Sequence, residues 1–125
     1  VLEPLSGYLK LAESIYKKDK TTCSAEPNWN FGPNISNCKT VRYIANFISK
    51  KENIKFKILK TKSKIFKSET NLLRLNNLKS KQYLHWFPKW NLDKTLSKIL
   101  EWNFLIKTKT TRQVCEQQIK EYFKI

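Results

Sequence analysis

Val1-Leu2-Glu3-Pro4-Leu5-Ser6-Gly7-Tyr8-Leu9-Lys10-Leu11-Ala12-Glu13 opens the chain, and the spacing of its apolar residues sets the first element. Leu5, Tyr8, Leu9, Ala12, Ile15 and Tyr16 recur at intervals of three and four, the period of one helix face. Pro4 falls in the first turn, where its missing N–H leaves no partner unsatisfied. The pattern predicts an amphipathic helix that ends near Lys18.

Outward from this helix, Asp19 to Pro27 is polar and broken by proline. Asn28-Trp29-Asn30-Phe31 then alternates, and Gly32-Pro33 stops it, which predicts a short strand and turn; Gly32 is read as freeing that turn from side-chain strain. Thr40 is a cap for a second helix carrying Val41, Ile44, Ala45 and Ile48, with Lys50 and Lys51 at its negative end. Ile54, Phe56 and Ile58 alternate with lysines as a second, half-buried strand, and Thr70 to Leu75 makes a third, with Leu73 and Leu75 opposite Arg74.

Asn76 or Asn77 can cap a short helix through Leu84, which must stop before Pro88 because a residue preceding proline is pushed out of the helical region. Leu84 to Trp90 is then an aromatic turn. Asn91 opens a longer helix with Leu92, Leu96, Ile99 and Leu100, and a last helix carries Cys115, Ile119, Tyr122 and Phe123. No internal repeat or Gly/Ser/Pro-rich linker divides the chain. One α/β-class unit is therefore expected over residues 1–125, a mixed α+β arrangement of about five helices and three short strands.

At 125 residues and 40% hydrophobic, the chain has enough apolar material for a core. It contains no methionine, so it reads as a piece of a longer polypeptide. Glu3, Lys10 and Glu13 break the layout of a signal peptide, and no apolar run is long enough to span a bilayer. Cys23, Cys38 and Cys115 are odd in number and lack CxxC spacing, which excludes a disulfide framework or zinc site and points to a reducing cytoplasm.

The formal charge of +15 invites an anionic partner. Only Arg42, Arg74 and Arg112 are arginines, however, and arginine is what reads bases and grips phosphates bidentately. The dispersed lysines are read as solvated faces. The competing reading is a small lysine-rich module that binds nucleic acid or an anionic surface through Lys89-Trp90 and Ile54-Lys55-Phe56-Lys57.

Candidate chemistry is sparse. Two glycines cannot build a GxGxxG loop or a P-loop. His85, the single histidine, lies between Leu84 and Trp86 and reads as a core or rim residue. Tyr16 and Lys20 have the Tyr-x-x-x-Lys spacing of reductases, which a lysine-rich chain supplies by chance. The cysteines read as small hydrophobes, Cys115 on an apolar helix face, and no carboxylate pair stands out.

Several segments, in order, carry a resemblance. They are Val1 to Glu13, Trp29-Asn30-Phe31-Gly32-Pro33 and Thr40-Val41-Arg42. After them come Ser68-Glu69-Thr70 through Leu75, Lys79, Leu84, Trp86-Phe87-Pro88, Trp90, Leu92, Leu96 and Glu101-Trp102, and last Gln118-Ile119 with Tyr122. Together they resemble the C-terminal lobe of the CDP-glucose 4,6-dehydratases, extended short-chain dehydrogenase/reductases of the NAD-dependent epimerase/dehydratase family. Leu2-Glu3-Pro4-Leu5 is the part that favours the CDP-sugar branch. The chain departs from that family's pattern at Ser68, Asn76, Leu78, His85 and Asn103. His85 stands where the family has glycine, a warning if the turn needs positive φ.

The resemblance implies a substrate-binding lobe whose Rossmann half is absent. It implies a carbon–oxygen lyase that uses NAD to convert CDP-glucose to CDP-4-keto-6-deoxyglucose in nucleotide-sugar and lipopolysaccharide biosynthesis. The dinucleotide loop, the Tyr-x-x-x-Lys couple and the elimination acid and base would lie upstream, so no catalytic residue, metal ligand or NAD contact is expected here. Glu69, with Ser68, would line the substrate side. The chain alone is expected to be inactive, and the complete enzyme a homodimer or larger homo-oligomer without membrane attachment or nucleic-acid binding. The helix from Pro4 to Lys18 is expected to pack on the other half and so to show an apolar outer face.

Overall fold

The computed structural model describes residues 1–20, 22, 27–57 and 74–124. Among these the α-helices are α1 (Leu2–Tyr16), α2 (Val41–Glu52), α3 (Leu78–Leu84), α4 (Leu92–Leu105) and α5 (Thr111–Phe123), with a 3-10 turn at Ile35–Asn37. No strand occurs among the described residues. The expected α/β class with three strands is therefore corrected to a helical one.

The helices follow local signals. Thr40 Oγ1 accepts from the Tyr43 N–H at 3.3 Å to start α2, and Asn91 Oδ1 accepts from the Lys94 N–H at 2.8 Å to start α4. Thr110 and Gln113 form a reciprocal capping box at α5. At the far end of α2, Asn53 takes the left-handed conformation at φ 52°, and the Ile54 N–H closes on the Ser49 carbonyl at 3.0 Å. α1 packs on α3, α4 on α5, and α2 on α4.

Asn28 to Phe31 does not form the expected strand, and no described strand serves its backbone. Side chains of α3 and its cap do so instead. Lys79 Nζ donates to the Asn28 carbonyl at 3.0 Å, Ser80 Oγ to Asn30 at 2.5 Å, and Asn77 Nδ2 to Gly32 at 2.8 Å. A backbone whose acceptors are satisfied this way needs no ladder. The segment is a strap laid along α3.

The second expected strand fails differently. Ile54 and Phe56 remain 56% and 42% exposed, and no described segment runs beside them to complete a sheet. Ile58 and most of the third candidate, Thr70 to Leu73, lie outside the described residues.

The strap carries Phe31 into a cluster with Leu84 and Trp86, against which Leu11 and Trp29 pack. Phe31 meets Trp86 edge-on at 5.1 Å and Tyr8 at 5.5 Å, geometries that aromatic quadrupoles favour. Gly7 in mid-helix makes this approach possible, since a Cβ there would fall 2.2 Å from Phe31 Cδ1. Gly32 does not have positive φ; its hydrogen instead admits Leu75, whose Cβ would stand 3.1 Å from an added Cβ. The expected turn strain is thus replaced by a close-packing reason. Leu96 on α4 and Val114 and Tyr122 on α5 are also buried.

α1 shows the anticipated two-faced character. Gly7 is buried and Leu11 half-buried, whereas Leu5, Tyr8, Leu9, Ile15 and Tyr16 are exposed.

Candidate functional site

The turn from Trp86 to Trp90 gathers the two ends of the chain. Glu3, in the first turn of α1, accepts the last two main-chain N–H groups of this turn, Lys89 at 3.0 Å and Trp90 at 2.6 Å. Its Oε2 also accepts from the Tyr122 hydroxyl at 2.9 Å. Ser6, one helical turn on, accepts from Trp86 Nε1 at 3.0 Å, lies 3.0 Å from the Tyr122 hydroxyl and donates to the Glu3 carbonyl at 2.7 Å. Trp90 stacks edge-on against Tyr122 at 5.1 Å.

Tyr122 is 1% exposed, and its phenol is pushed up to about 12 by burial and by the neighbouring Glu3 carboxylate, against the opposing Ser6 hydrogen bond. A phenol held neutral and already donating to a carboxylate is not poised to take a proton at neutral pH. This network holds structure together; it does not present a general base.

Two concavities flank it. One, of about 450 Å³, is apolar and lies between α1, α4 and α5, with Leu2, Leu5, Ile99, Trp102 and Ile119 on its walls. Lys98 at its edge is paired with Glu101 and with Glu121, the latter at 2.5 Å. Burial works to lower the Lys98 pKa, but the hydrogen bonds and charges of Glu101 and Glu121 outweigh it and raise the value above 10.5. The ammonium therefore stays charged and engaged, unsuited to a nucleophile. Glu121, shared by Lys94 and Lys98, is correspondingly lowered.

The other, of about 530 Å³, is bounded by α1 and the turn, with Lys10, Glu13, His85, Phe87 and Lys89 around it. Lys10 Nζ donates to the His85 carbonyl at 3.0 Å. Lys89 Nζ sits 4.9 Å above the Tyr122 ring and 4.8 Å above Phe123. His85 occupies the left-handed region at φ 47°, the condition under which the loss of glycine matters.

Of the sequence candidates, Ser68 and Glu69 lie outside the described residues, as does Cys23. Tyr16 is 89% exposed at the end of α1 and lines neither of the two concavities. Cys115 lies on the side of α5 that borders the apolar cleft, and it is exposed. No group of three His, Cys, Asp or Glu side chains capable of holding a metal occurs among the described residues. No helix among them is long and apolar enough to cross a membrane.

The chain's glycines do not fit a dinucleotide. Gly7 is committed to Phe31 inside a helix and Gly32 to Leu75, so neither opens a loop onto a pyrophosphate. The Glu3 hub went unread from sequence, because its partners stand 86, 87 and 119 positions away. An acidic residue in a first turn was its sole local signal.

No family model matches the chain. Among curated proteins it is similar to a dehydratase, with 32% identity over 114 residues. That relative is the CDP-glucose 4,6-dehydratase of Salmonella typhimurium; the match covers 82% of this chain, and the chain spans 28% of the relative's length. The resemblance first read from Val1 to Glu13 and the ordered motifs after it is thereby borne out. Glu3, Trp86, Trp90 and Tyr122, all within the quoted segments, are the residues that meet in the hub.

Proposed function

We propose that the chain serves as the substrate-side lobe of a CDP-glucose 4,6-dehydratase-like lyase, which converts CDP-glucose to CDP-4-keto-6-deoxyglucose for polysaccharide biosynthesis in the cytoplasm. The 32% identity to the Salmonella dehydratase carries this reading. NAD would be held by a dinucleotide-binding half, and the hydride transfers and elimination would be performed there. Ser68 and Glu69 would face the sugar nucleotide. Two features support the division of labour: the hub around Glu3 is a rigid brace without a free base, and the glycines are spent on packing.

The test is an assay of 4-keto-6-deoxy sugar formation with CDP-glucose and NAD. The expected outcome is no product from the 125-residue chain, and product when it is joined to a dinucleotide-binding half, with CDP-glucose preferred over UDP- and dTDP-glucose. Turnover by the chain alone, or preference for another nucleotide, would sink the proposal.

A second reading is kept alive by Ile54 and Phe56, exposed and alternating with Lys55 and Lys57 in a chain of charge +15. Such a surface would bind single-stranded nucleic acid in a strongly salt-dependent way. Against it, Lys79, Lys89 and Lys94 lie over the chain's own Trp29, Tyr122 and Trp90 rings, and Trp86 is buried. Failure to retain an oligonucleotide at low salt would dispose of it.

A further inference from the structure

His85 holds a strained conformation that glycine would adopt freely. Its backbone lies in the left-handed region at φ 47°, the family has glycine at that place, and among the described residues nothing hydrogen-bonds its imidazole. Non-glycine residues kept in such conformations concentrate at sites where the side chain is used. The ring stands at the concavity of about 530 Å³ between α1 and the Trp86 to Trp90 turn, a volume in the range of small-molecule sites.

The charged groups around this ring are mostly cationic donors. Lys10 spends one of its three ammonium hydrogens on the His85 carbonyl at 3.0 Å. Lys89 reaches the Tyr122 carbonyl only at 3.5 Å. Both therefore keep donors for a further acceptor. Glu13, the one carboxylate on the walls, is paired with Lys17 at 2.5 Å. Covering the two ammonium groups with an apolar protein surface would strip their water and return nothing for it. An anion does return it, and a dianionic phosphate has oxygens enough for Lys10, Lys89 and the imidazole together. Phe87, 58% exposed on the same wall, offers an aromatic face to whatever carries the phosphate.

We propose that Lys10, His85 and Lys89 form a binding site for a phosphate monoester, with its organic group against Phe87. Neither Ser68 nor Glu69 takes part, so the site stands or falls separately from the dehydratase reading.

Inorganic phosphate and phenyl phosphate, each titrated into the isotope-labelled 125-residue chain at about pH 7 with ionic strength held constant by chloride, are the probes. Saturable NMR shifts confined to the amides of His85, Phe87 and Lys89 and their neighbours are expected, with phenyl phosphate bound more tightly than inorganic phosphate. Lys10→Met, Lys89→Met and His85→Gly should each weaken binding about ten-fold, the loss of one hydrogen bond to a charged group. Lys107→Met, outside the concavity, should leave it unchanged. Because glycine relieves the backbone at position 85, weaker binding by that variant reports the missing imidazole and not a damaged fold. Shifts spread over every lysine-bearing surface would mean general attraction to a chain of charge +15 and would overturn the site. So would binding that survives His85→Gly undiminished, or phenyl phosphate held no better than inorganic phosphate.

Discussion

His85 ends α3 at φ 47°, ψ 37°, and the Trp86 N–H behind it returns to the Ser80 carbonyl at 3.1 Å. A side chain in this region brings Cβ close to the backbone carbonyl, a contact glycine avoids. What His85 gives the fold passes through its main chain, which accepts from Lys10. Replacing the imidazole with hydrogen keeps that bond and removes the crowding, while the looser unfolded chain offsets part of the gain. His85→Gly is therefore expected to stabilise by about 0.5–1 kcal/mol and His85→Val to destabilise by more than about 1 kcal/mol. Urea midpoints at constant m-value measure both; a lower midpoint for the glycine variant would show that the histidine ring holds the turn.

At the scale of elements, the strap from Asn28 to Pro33 depends on α3 side chains as a strand depends on its neighbour. Ser80 is fully buried, and its hydroxyl is the donor to the Asn30 carbonyl. Ser80→Ala leaves that acceptor unmatched at a cost of about 1–3 kcal/mol. Lys79 at the strap's exposed edge should matter less, because water can replace its ammonium. A thermal-melt comparison of Ser80→Ala with Lys79→Ala distinguishes a buried brace from a surface tether; equal effects would argue against the strap. This element also explains what could be read in advance. The helices were legible because their signals are local: Thr40, Asn91 and Thr110 at caps, and apolar residues at three-four spacing. Alternation at Trp29 and Phe31 predicted a strand where none forms. It could not say whether the backbone bonds go to a strand or to Asn77 and Ser80, since both satisfy the same acceptors. Gly32 was misjudged for a similar reason, its need being a neighbour from a distant position. Of the expected site, Ser68 and Glu69 lie outside the described residues, while Glu3 emerged only once Lys89, Trp90 and Tyr122 were brought to it.

Across the whole molecule, Glu3 joins the first helix, the central turn and the last helix through one carboxylate, and Tyr122 is the arm that reaches α5. Removing its hydroxyl, Tyr122→Phe, keeps the ring between Trp90 and Phe123 and deletes the hydrogen bond to the Glu3 carboxylate along with the Ser6 contact, a loss of about 1.5–3 kcal/mol. The pH dependence of that loss identifies its origin. The phenol ionises near 10 in the unfolded chain and at about 12 in the folded one, so the folded state favours the protonated form. Its contribution is complete below pH 10 and disappears as pH rises through about 12. Lysines such as Lys98 titrate in the same region, but they do so in both proteins, so the difference between wild type and Tyr122→Phe isolates the phenol. Melting temperatures should therefore differ by a constant amount from pH 7 to 9 and converge between 10 and 12. Absence of a gap from pH 7 to 9 would mean that the hydroxyl contributes nothing through Glu3, and that packing of the ring alone fastens α5 to the start of the chain.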